Sequence, residues 1–206
     1  MENIDGICVE APSRVDRPSP SVKLEQFTAL SKNKVMQLIE RSSDATCKLD
    51  PLPTWLLKSC IDAFAAMITA IVNYSLSEGY FPDQWKTAQV IPLQKKKGSD
   101  FDFKSYRPAS NLPFISKIIE KAVVDQFLCH CDENALLPDY QSAYRRFSST
   151  ESVLLKVQSD ILLNMDKQEV TLLVLLGLSA AFDTVNHSLL LNILGNGFGV
   201  TDSALK

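Results

Sequence analysis

The sequence lacks a hydrophobic run long enough to cross a membrane. Its longest apolar stretch, residues 170–182, falls short of the roughly 20 residues that a membrane-spanning helix needs. The amino terminus lacks the apolar core of a signal peptide and carries Glu2 and Asp5 instead. We therefore expect an intracellular protein, in the nucleus or the cytoplasm, that is not associated with a membrane.

Cysteines with the spacing of a disulfide framework or a zinc finger are also lacking. The five cysteines are odd in number and scattered, which is typical of reduced intracellular thiols. Cys129 and Cys131 flank His130, but no second pair follows at zinc-finger spacing. We expect these three residues to pack on a helix face and to bind no metal.

The chain has no excess of positive charge. Its formal net charge is -3 and its pI is about 5.4, which argues against binding nucleic acid through bulk charge alone. Residues 95–121 differ, because this window contains seven basic residues and only three acidic ones. A local phosphate-binding surface is one interpretation, and a solvated loop is the other. The basic residues are Lys95, Lys96, Lys97, Lys104, Arg107, Lys117 and Lys121, and the acidic ones are Asp100, Asp102 and Glu120.

The chain is long enough for one hydrophobic core. With 206 residues and 46% hydrophobic content, it can build one domain, or most of one and part of another. Pro12, Pro18 and Pro20 lie in a stretch with little periodicity, which indicates a mobile segment. We expect a flexible leader over residues 1–33 and a partial domain over residues 34–206.

Hydrophobic periodicity predicts helices in the first half of the chain. The pattern predicts a short helix over residues 34–41 and a long one over residues 53–77, with Gly79 as the stop signal of the second. Residues 87–93 are rich in β-formers and predict a strand with Pro92 at its edge or end. The basic stretch 95–105 follows as a loop or hairpin.

The second half is predicted to alternate between helices and a strand. Residues 112–135 and 149–167 show helical spacing, and Ser148 with Glu151 forms a capping-box pattern before the second of them. Residues 170–178 are apolar throughout and predict a fully buried strand. Asn186 is expected to cap a final helix that runs to about residue 194, where Gly195 and Gly197 end it.

Several motifs appear in an order that is more specific than any one of them. Together they resemble the reverse transcriptases of non-LTR (LINE-like, CR1/jockey-type) retrotransposons over about residues 35–200. The resemblance implies an α/β (α+β), mostly helical fold, namely truncated polymerase fingers plus a partial palm. The motifs are WKTAQVIPL (85–93), KKKG (95–98), YRPASNL (106–112), Lys117 with Glu120 and Lys121, QSAYR (141–145), STE (149–151) and LLVLLGLSAAFDTVNH (172–187).

The same resemblance implies that the catalytic site is incomplete. Gly177 stands where the family has the first metal-binding aspartate, and glycine offers no side-chain ligand for Mg²⁺. Asp183 accompanies that ligand in the family, and a turn or cap role is the alternative for it. The aspartate-pair hairpin of the family does not occur before Lys206. We therefore expect no intact catalytic residue, no bound metal and no cofactor in this chain, although the intact family uses Mg²⁺.

The resemblance also implies binding residues. Lys95, Lys96 and Arg107 match the family residues that grip the triphosphate of the incoming nucleotide. Phe182 matches the aromatic gate beside the sugar, and a core position is its alternative. A further block matches the family's template- and nucleotide-facing residues, with a polar turn after Pro138 as the alternative. That block consists of Gln141, Tyr144 and Arg145.

The function that these observations imply is a fragment of an RNA-directed DNA polymerase (reverse transcriptase) that is itself inactive. Its implied partners are RNA or an RNA–DNA hybrid and a deoxynucleoside triphosphate, bound weakly, together with self-association through residues 170–178. One alternative is a non-catalytic remnant that binds nucleic acid or a protein partner. An unrelated helical interaction domain is the other.

Overall fold

A computed structural model describes residues 21–95, 98, 102–178, 181–182 and 184–206, with only the backbone of Lys104. Within these ranges the chain is mostly helical and carries one two-stranded antiparallel sheet. None of the helices in them is long and apolar enough to cross a membrane. The helices are α1 (Lys32–Glu40), α2 (Thr54–Ser59), α3 (Ile61–Glu78), α4 (Asp83–Lys86), α5 (Phe114–Glu133), α6 (Thr150–Asp166) and α7 (His187–Phe198), and the strands are β1 (Gln89–Gln94) and β2 (Tyr106–Asn111).

The hydrophobic core lies where α1, α3 and α5 pack together. Each helix contributes apolar side chains three or four residues apart, which places them on one face. Val35 and Ile39 of α1 are fully buried, and Ile118 of α5 is as well. The core of the described residues is thus built in the first two thirds of the chain. Its other members are Leu38, Leu57, Ile68, Val72, Leu76, Phe114, Ile119 and Ala122.

The segment before α1 contacts this helical body. Leu24 forms a parallel bridge with Val200, in which the Leu24 N–H donates to the Gly199 carbonyl at 2.9 Å. The Asn73 amide of α3 binds both the N–H and the carbonyl of Leu30, at 2.7 and 2.9 Å. Residues 1–20 of the predicted leader lie outside the described residues, so the domain division at residue 33 stays a prediction.

The helix predicted over residues 53–77 is two helices. The chain leaves helical geometry at Cys60, where φ is -111° and ψ is 28°, and α2 and α3 lie on either side. Ser59 and Cys60 are weak helix formers, and the Ser59 hydroxyl donates to the Leu56 carbonyl at 2.9 Å. The predicted end at Gly79 is confirmed, because Gly79 is left-handed with φ 61°.

The N-cap of α6 lies one residue later than the sequence pattern predicts. Ser149, rather than Ser148, is the N-cap, and its hydroxyl accepts from the Ser152 N–H at 3.2 Å. The Ser152 hydroxyl in turn accepts from the Ser149 N–H at 2.9 Å. Ser152 therefore takes the position that Glu151 was predicted to fill, since it lies three residues after the true cap.

The prediction that Gly195 and Gly197 end the last helix was wrong. Asn186 caps α7 as expected, but the helix runs through both glycines to Phe198. It ends at Gly199, which is left-handed with φ 70°, and the Val200 N–H bonds back to the Leu194 carbonyl at 3.0 Å. The bridge between Val200 and Leu24 holds this end in place, and such a contact is not local in sequence.

The prediction of a fully buried strand over residues 170–178 was also wrong. No strand forms there, and Leu172 and Leu176 are 86% and 88% exposed. Among the described residues, 172–178 make no hydrogen bond. An extended segment becomes a strand only when a neighbouring strand pairs its backbone. In the part of the chain that the structure describes, β1 and β2 pair only with each other. Helices α6 and α7, which flank the segment, bury no residue.

Asp50 joins the loop after α1 to the start of α5. Its two carboxylate oxygens accept from the Cys47 N–H at 3.0 Å and from the Phe114 N–H at 2.8 Å. Phe114 is the first residue of α5, and its N-cap Pro113 supplies no side-chain cap. Asp50 therefore caps a helix that begins 64 residues later in the chain.

We expect Asp50→Ala to destabilise the fold by about 1–3 kcal/mol, because two half-buried N–H groups lose their acceptor. Urea denaturation followed by circular dichroism measures the change. Asp125→Ala is the matched control, since Asp125 is an exposed residue within α5. Equal free energies of unfolding for the two variants would contradict the capping role.

We expect the chain to self-associate through residues 170–178, because uncharged, exposed apolar segments with unpaired backbone groups pair with one another. Sedimentation velocity should show species larger than a monomer. The double variant Val174→Lys/Leu176→Lys should shift the chain toward the monomer, and Lys32→Gln/Lys34→Gln should not. A monomeric parent chain with slow hydrogen exchange over residues 172–176 would show that the segment is already covered.

Candidate nucleic-acid interface

The basic window begins on a β-hairpin. Strands β1 and β2 pair antiparallel, with Leu93 opposite Arg107 and Pro92 opposite Pro108. The Lys95 N–H donates to the Ser105 carbonyl at 2.8 Å just beyond the strands. Because bonded and non-bonded pairs alternate in an antiparallel ladder, the two prolines fall at a non-bonded pair. A proline lacks a backbone N–H, but at a non-bonded pair that N–H would not take part in the pairing. The sheet therefore loses no hydrogen bond at either proline.

Strands β1 and β2 flank the loop or hairpin expected over residues 95–105, of which residues 96, 97 and 99–101 lie outside the described ranges. Strand β1 is close to the predicted strand 87–93, whereas β2 was not predicted. Residues 106–111 (YRPASN) contain few strongly β-forming side chains, so their strand depends on pairing with β1. Pro92 lies inside β1 rather than at its end.

The base of the hairpin is fixed to the helical body by Asn111. Its amide donates to the Thr46 carbonyl at 3.3 Å, and its side-chain oxygen accepts from Lys117 Nζ at 2.6 Å. The buried Cys47 thiol donates to the Asn111 carbonyl at 3.3 Å. The strands beyond this base are largely exposed, including Ile91 and Leu93. The hairpin therefore projects from the body as an open surface.

Two of the predicted triphosphate-binding residues share this hairpin. Arg107 is an exposed residue of β2, and Lys95 is exposed immediately after β1. Continuing the register places Lys95 opposite Ser105, two positions from the Leu93 and Arg107 pair, so both basic side chains fall on one face. Lys96 lies outside the described residues.

The predicted template-facing block lies on a turn after α5. The Gln141 N–H donates to the Pro138 carbonyl at 3.1 Å, and Tyr144 is 82% exposed in a left-handed conformation with φ 60°. Arg145 Nη1 lies 2.8 Å from the Asp132 carboxylate of α5. A polar turn is therefore present, and the charge of Arg145 is already partly compensated. The turn is anchored to the end of α5 through Asp132, whereas the base of the hairpin is anchored to the loop after α1.

Residues 172–187 contain the position that the resemblance assigns to the first metal-binding aspartate. Gly177 is exposed, and a Cβ added to it would meet no atom within 4 Å. Phe182 is 80% exposed, so the alternative of a core position for it is wrong in this chain. Asp183 lies outside the described residues. Over the described ranges, no three His, Cys, Asp or Glu side chains converge as metal ligands would.

Lys117 and Lys121 belong to one of the motifs of the resemblance, but the sequence assigns them no role. They lie one turn apart on α5 and border a cavity of about 380 Å³, whose other polar lining residues are Ser42, Ser43 and Glu120. Partial burial raises the pKa of the Glu120 carboxyl, while the Lys117 ammonium opposes that rise. The spacing of four residues signals a shared helix face, but only the fold brings that face to the loop after α1.

The chain is similar to known polymerases of mobile elements. Residues 94–199 match the family described as "Reverse transcriptase (RNA-dependent DNA polymerase)". The RNA-directed DNA polymerase from mobile element jockey of Drosophila melanogaster is 31% identical over 179 residues, which are 87% of this chain and 19% of the relative.

Two further Drosophila melanogaster proteins are similar. The probable RNA-directed DNA polymerase from transposon BS is 26% identical over 190 residues, covering 91% of this chain and 20% of the relative. The one from transposon X-element is 31% identical over 120 residues, covering 58% of this chain and 13% of the relative. The chain thus spans about a fifth or less of the length of these relatives.

Replacing Lys95, Lys96 and Arg107 together with alanine should weaken binding to an RNA–DNA hybrid and flatten its salt dependence, by about one counterion for each phosphate that the variant no longer binds. Fluorescence anisotropy at several salt concentrations measures both quantities. The matched control replaces Lys32, Lys34 and Lys167, which are exposed and lie outside the window. If both triple variants bind like the parent, the hairpin is only a solvated loop.

Proposed function

The chain belongs to the reverse transcriptase (RNA-dependent DNA polymerase) family, and on that premise we propose that it forms the fingers and first part of the palm of a non-LTR retrotransposon polymerase. It binds template and nucleotide phosphates but does not catalyse their transfer. The likeness to polymerases of mobile elements over 87% and 91% of the chain supports the first statement. Gly177 supports the second.

Gly177 is the single observation that carries the loss of catalysis. The described structure gives no steric reason for glycine here, because a Cβ would enter open space and no left-handed φ is present. The position could thus hold a larger side chain, and the missing carboxylate is a chemical change rather than a packing requirement. Nucleotidyl transfer by this family relies on anionic oxygens that hold divalent ions.

The residues present do not fit a pair of magnesium ions. Magnesium prefers hard oxygen ligands in near-octahedral geometry, whereas Gly177 can offer only an uncharged backbone carbonyl. The 206 residues contain no adjacent aspartate pair, and the described ranges hold no convergent acidic cluster. No catalytic step is therefore assigned to this chain through a metal.

The proposed binding role belongs to the hairpin. Arg107 presents a planar fork that can bind two phosphate oxygens, while Lys95 supplies a compact charge on the same face. Lys96 adds a third basic group in the sequence between them. Phe182 is exposed enough to contact a sugar. We assign Gln141, Tyr144 and Arg145 to the template side. The ion pair with Asp132 compensates part of the positive charge of Arg145 there.

The alternative is a non-catalytic protein whose function is the binding itself. The exposed basic hairpin favours it, because that surface is retained while the metal-binding position is not. Binding without incorporation separates this function from polymerisation. An unrelated helical interaction domain is not compatible with family membership.

We expect no template-dependent primer extension by the 206-residue chain with Mg²⁺ or Mn²⁺. Gly177→Asp should not restore it, because one added carboxylate cannot hold two ions about 3.5–4 Å apart. Gly177→Ala controls for the backbone effect, and both variants should melt within a few degrees of the parent because the site is open. Incorporation by the parent or by Gly177→Asp would disprove the proposed inactivity.

A further inference from the structure

Two lysines of α5 take no part in the function proposed above. Lys117 Nζ donates to the Asn111 side-chain oxygen at 2.6 Å, and Lys121 Nζ donates to the Ser42 hydroxyl at 3.3 Å. Within the described part of the chain, neither lysine forms a salt bridge to a carboxylate. Their positive charges are therefore held in place by neutral oxygens.

The cavity between these lysines and the loop after α1 is lined by lysine and serine side chains beside the apolar Ala45, Phe114 and Val124. Its volume of about 380 Å³ lies within the roughly 300–1,000 Å³ of ligand pockets. The Ser43 hydroxyl accepts from the Ala45 N–H at 3.2 Å, so its own O–H can still donate to an incoming oxygen. Two lysine side chains and a serine thus line one cavity.

This cavity adjoins the basic face of the hairpin. Side chains alternate along β2, so Arg107 and Asn111 lie on the same face, and Asn111 is the residue that binds Lys117. At about 3.3 Å per residue, Arg107 lies roughly 13 Å from Asn111 along the strand. A nucleic-acid strand rises about 3.4 Å per phosphate, so one strand can reach both ends of this face.

We propose that Lys117 and Lys121, with the Ser43 hydroxyl, bind a backbone phosphate of the nucleic acid whose neighbouring phosphates lie on the hairpin. This assignment rests on the proposed nucleic-acid-binding function and extends it to residues outside the hairpin. The ligand is a phosphodiester, which two ammonium groups neutralise and one hydroxyl orients.

Glu120 sets a limit on the strength of this site. Its carboxylate lines the same cavity and repels an anion, so only part of the charge of the two lysines is available. Glu120→Gln removes that repulsion at similar size. The variant should bind nucleic acid more tightly than the parent, which a merely structural role for the cluster does not predict.

The test is anisotropy of a labelled RNA–DNA hybrid, about two helical turns long, with the full chain across salt concentrations. Lys117→Gln and Lys121→Gln should each lower the salt slope by about 1. Glutamine can still donate to Asn111 or Ser42, so the fold is expected to persist. Lys32→Gln and Lys34→Gln on α1 are the matched controls, and Lys121→Arg should retain the parent slope.

A second measurement uses a labelled deoxynucleoside triphosphate in place of the hybrid. If the Lys117 and Lys121 variants lose only nucleotide binding, the phosphate belongs to the nucleotide and the backbone assignment is wrong. If Lys117→Gln unfolds the chain, the exposed Lys121 decides the outcome alone. An unchanged slope for Lys121→Gln overturns the proposal even where the hairpin triple variant loses binding. A parent chain that binds no hybrid overturns the proposed function as well.

Discussion

The carboxylate of Asp50 is the interaction on which the candidate site depends. It accepts from Cys47 in the loop after α1 and from Phe114 at the start of α5. The same loop meets the hairpin base, because the Cys47 thiol and the Thr46 carbonyl both bind Asn111. One acidic side chain thus sets the relative position of the helix that carries the lysines and the strand that carries Arg107. Hydrogen bonds to a charged acceptor are stronger than neutral ones.

This arrangement places the basic groups and Gly177 on different parts of the chain. The basic groups project from the helical body on a hairpin and a helix that the core of α1, α3 and α5 supports. The position that should bear the metal-binding carboxylate lies in an exposed segment outside that core. A glycine at position 177 therefore costs no packing. The phosphate binding that we propose needs cations and a rigid frame, and it does not depend on a carboxylate at position 177.

Stability is distributed unevenly along the chain. Within the described ranges the buried apolar residues lie chiefly between Val35 and Cys131, whereas α6, α7 and residues 170–178 contribute almost none. The bridge between Leu24 and Val200 ties the end of α7 back to the body. A region with few buried contacts opens locally at low free energy. Within the described ranges, residues 170–178 and the helices on either side are therefore expected to open more readily than the core of α1, α3 and α5.

Signals that are local in sequence determined most helices, because helical periodicity, the Gly79 stop and the Asn186 cap act within a turn or two. They also identified the basic window, and the family resemblance drew attention to Gly177 as the position of an expected carboxylate. Only the tertiary structure decided that β2 exists, that α7 ends at Gly199, and that Lys117 meets Asn111. It also left residues 172–178 unpaired. These outcomes share one physical reason: a strand or a distant cap is stable only when another part of the chain supplies its hydrogen-bond partners, and no local pattern records where that partner lies.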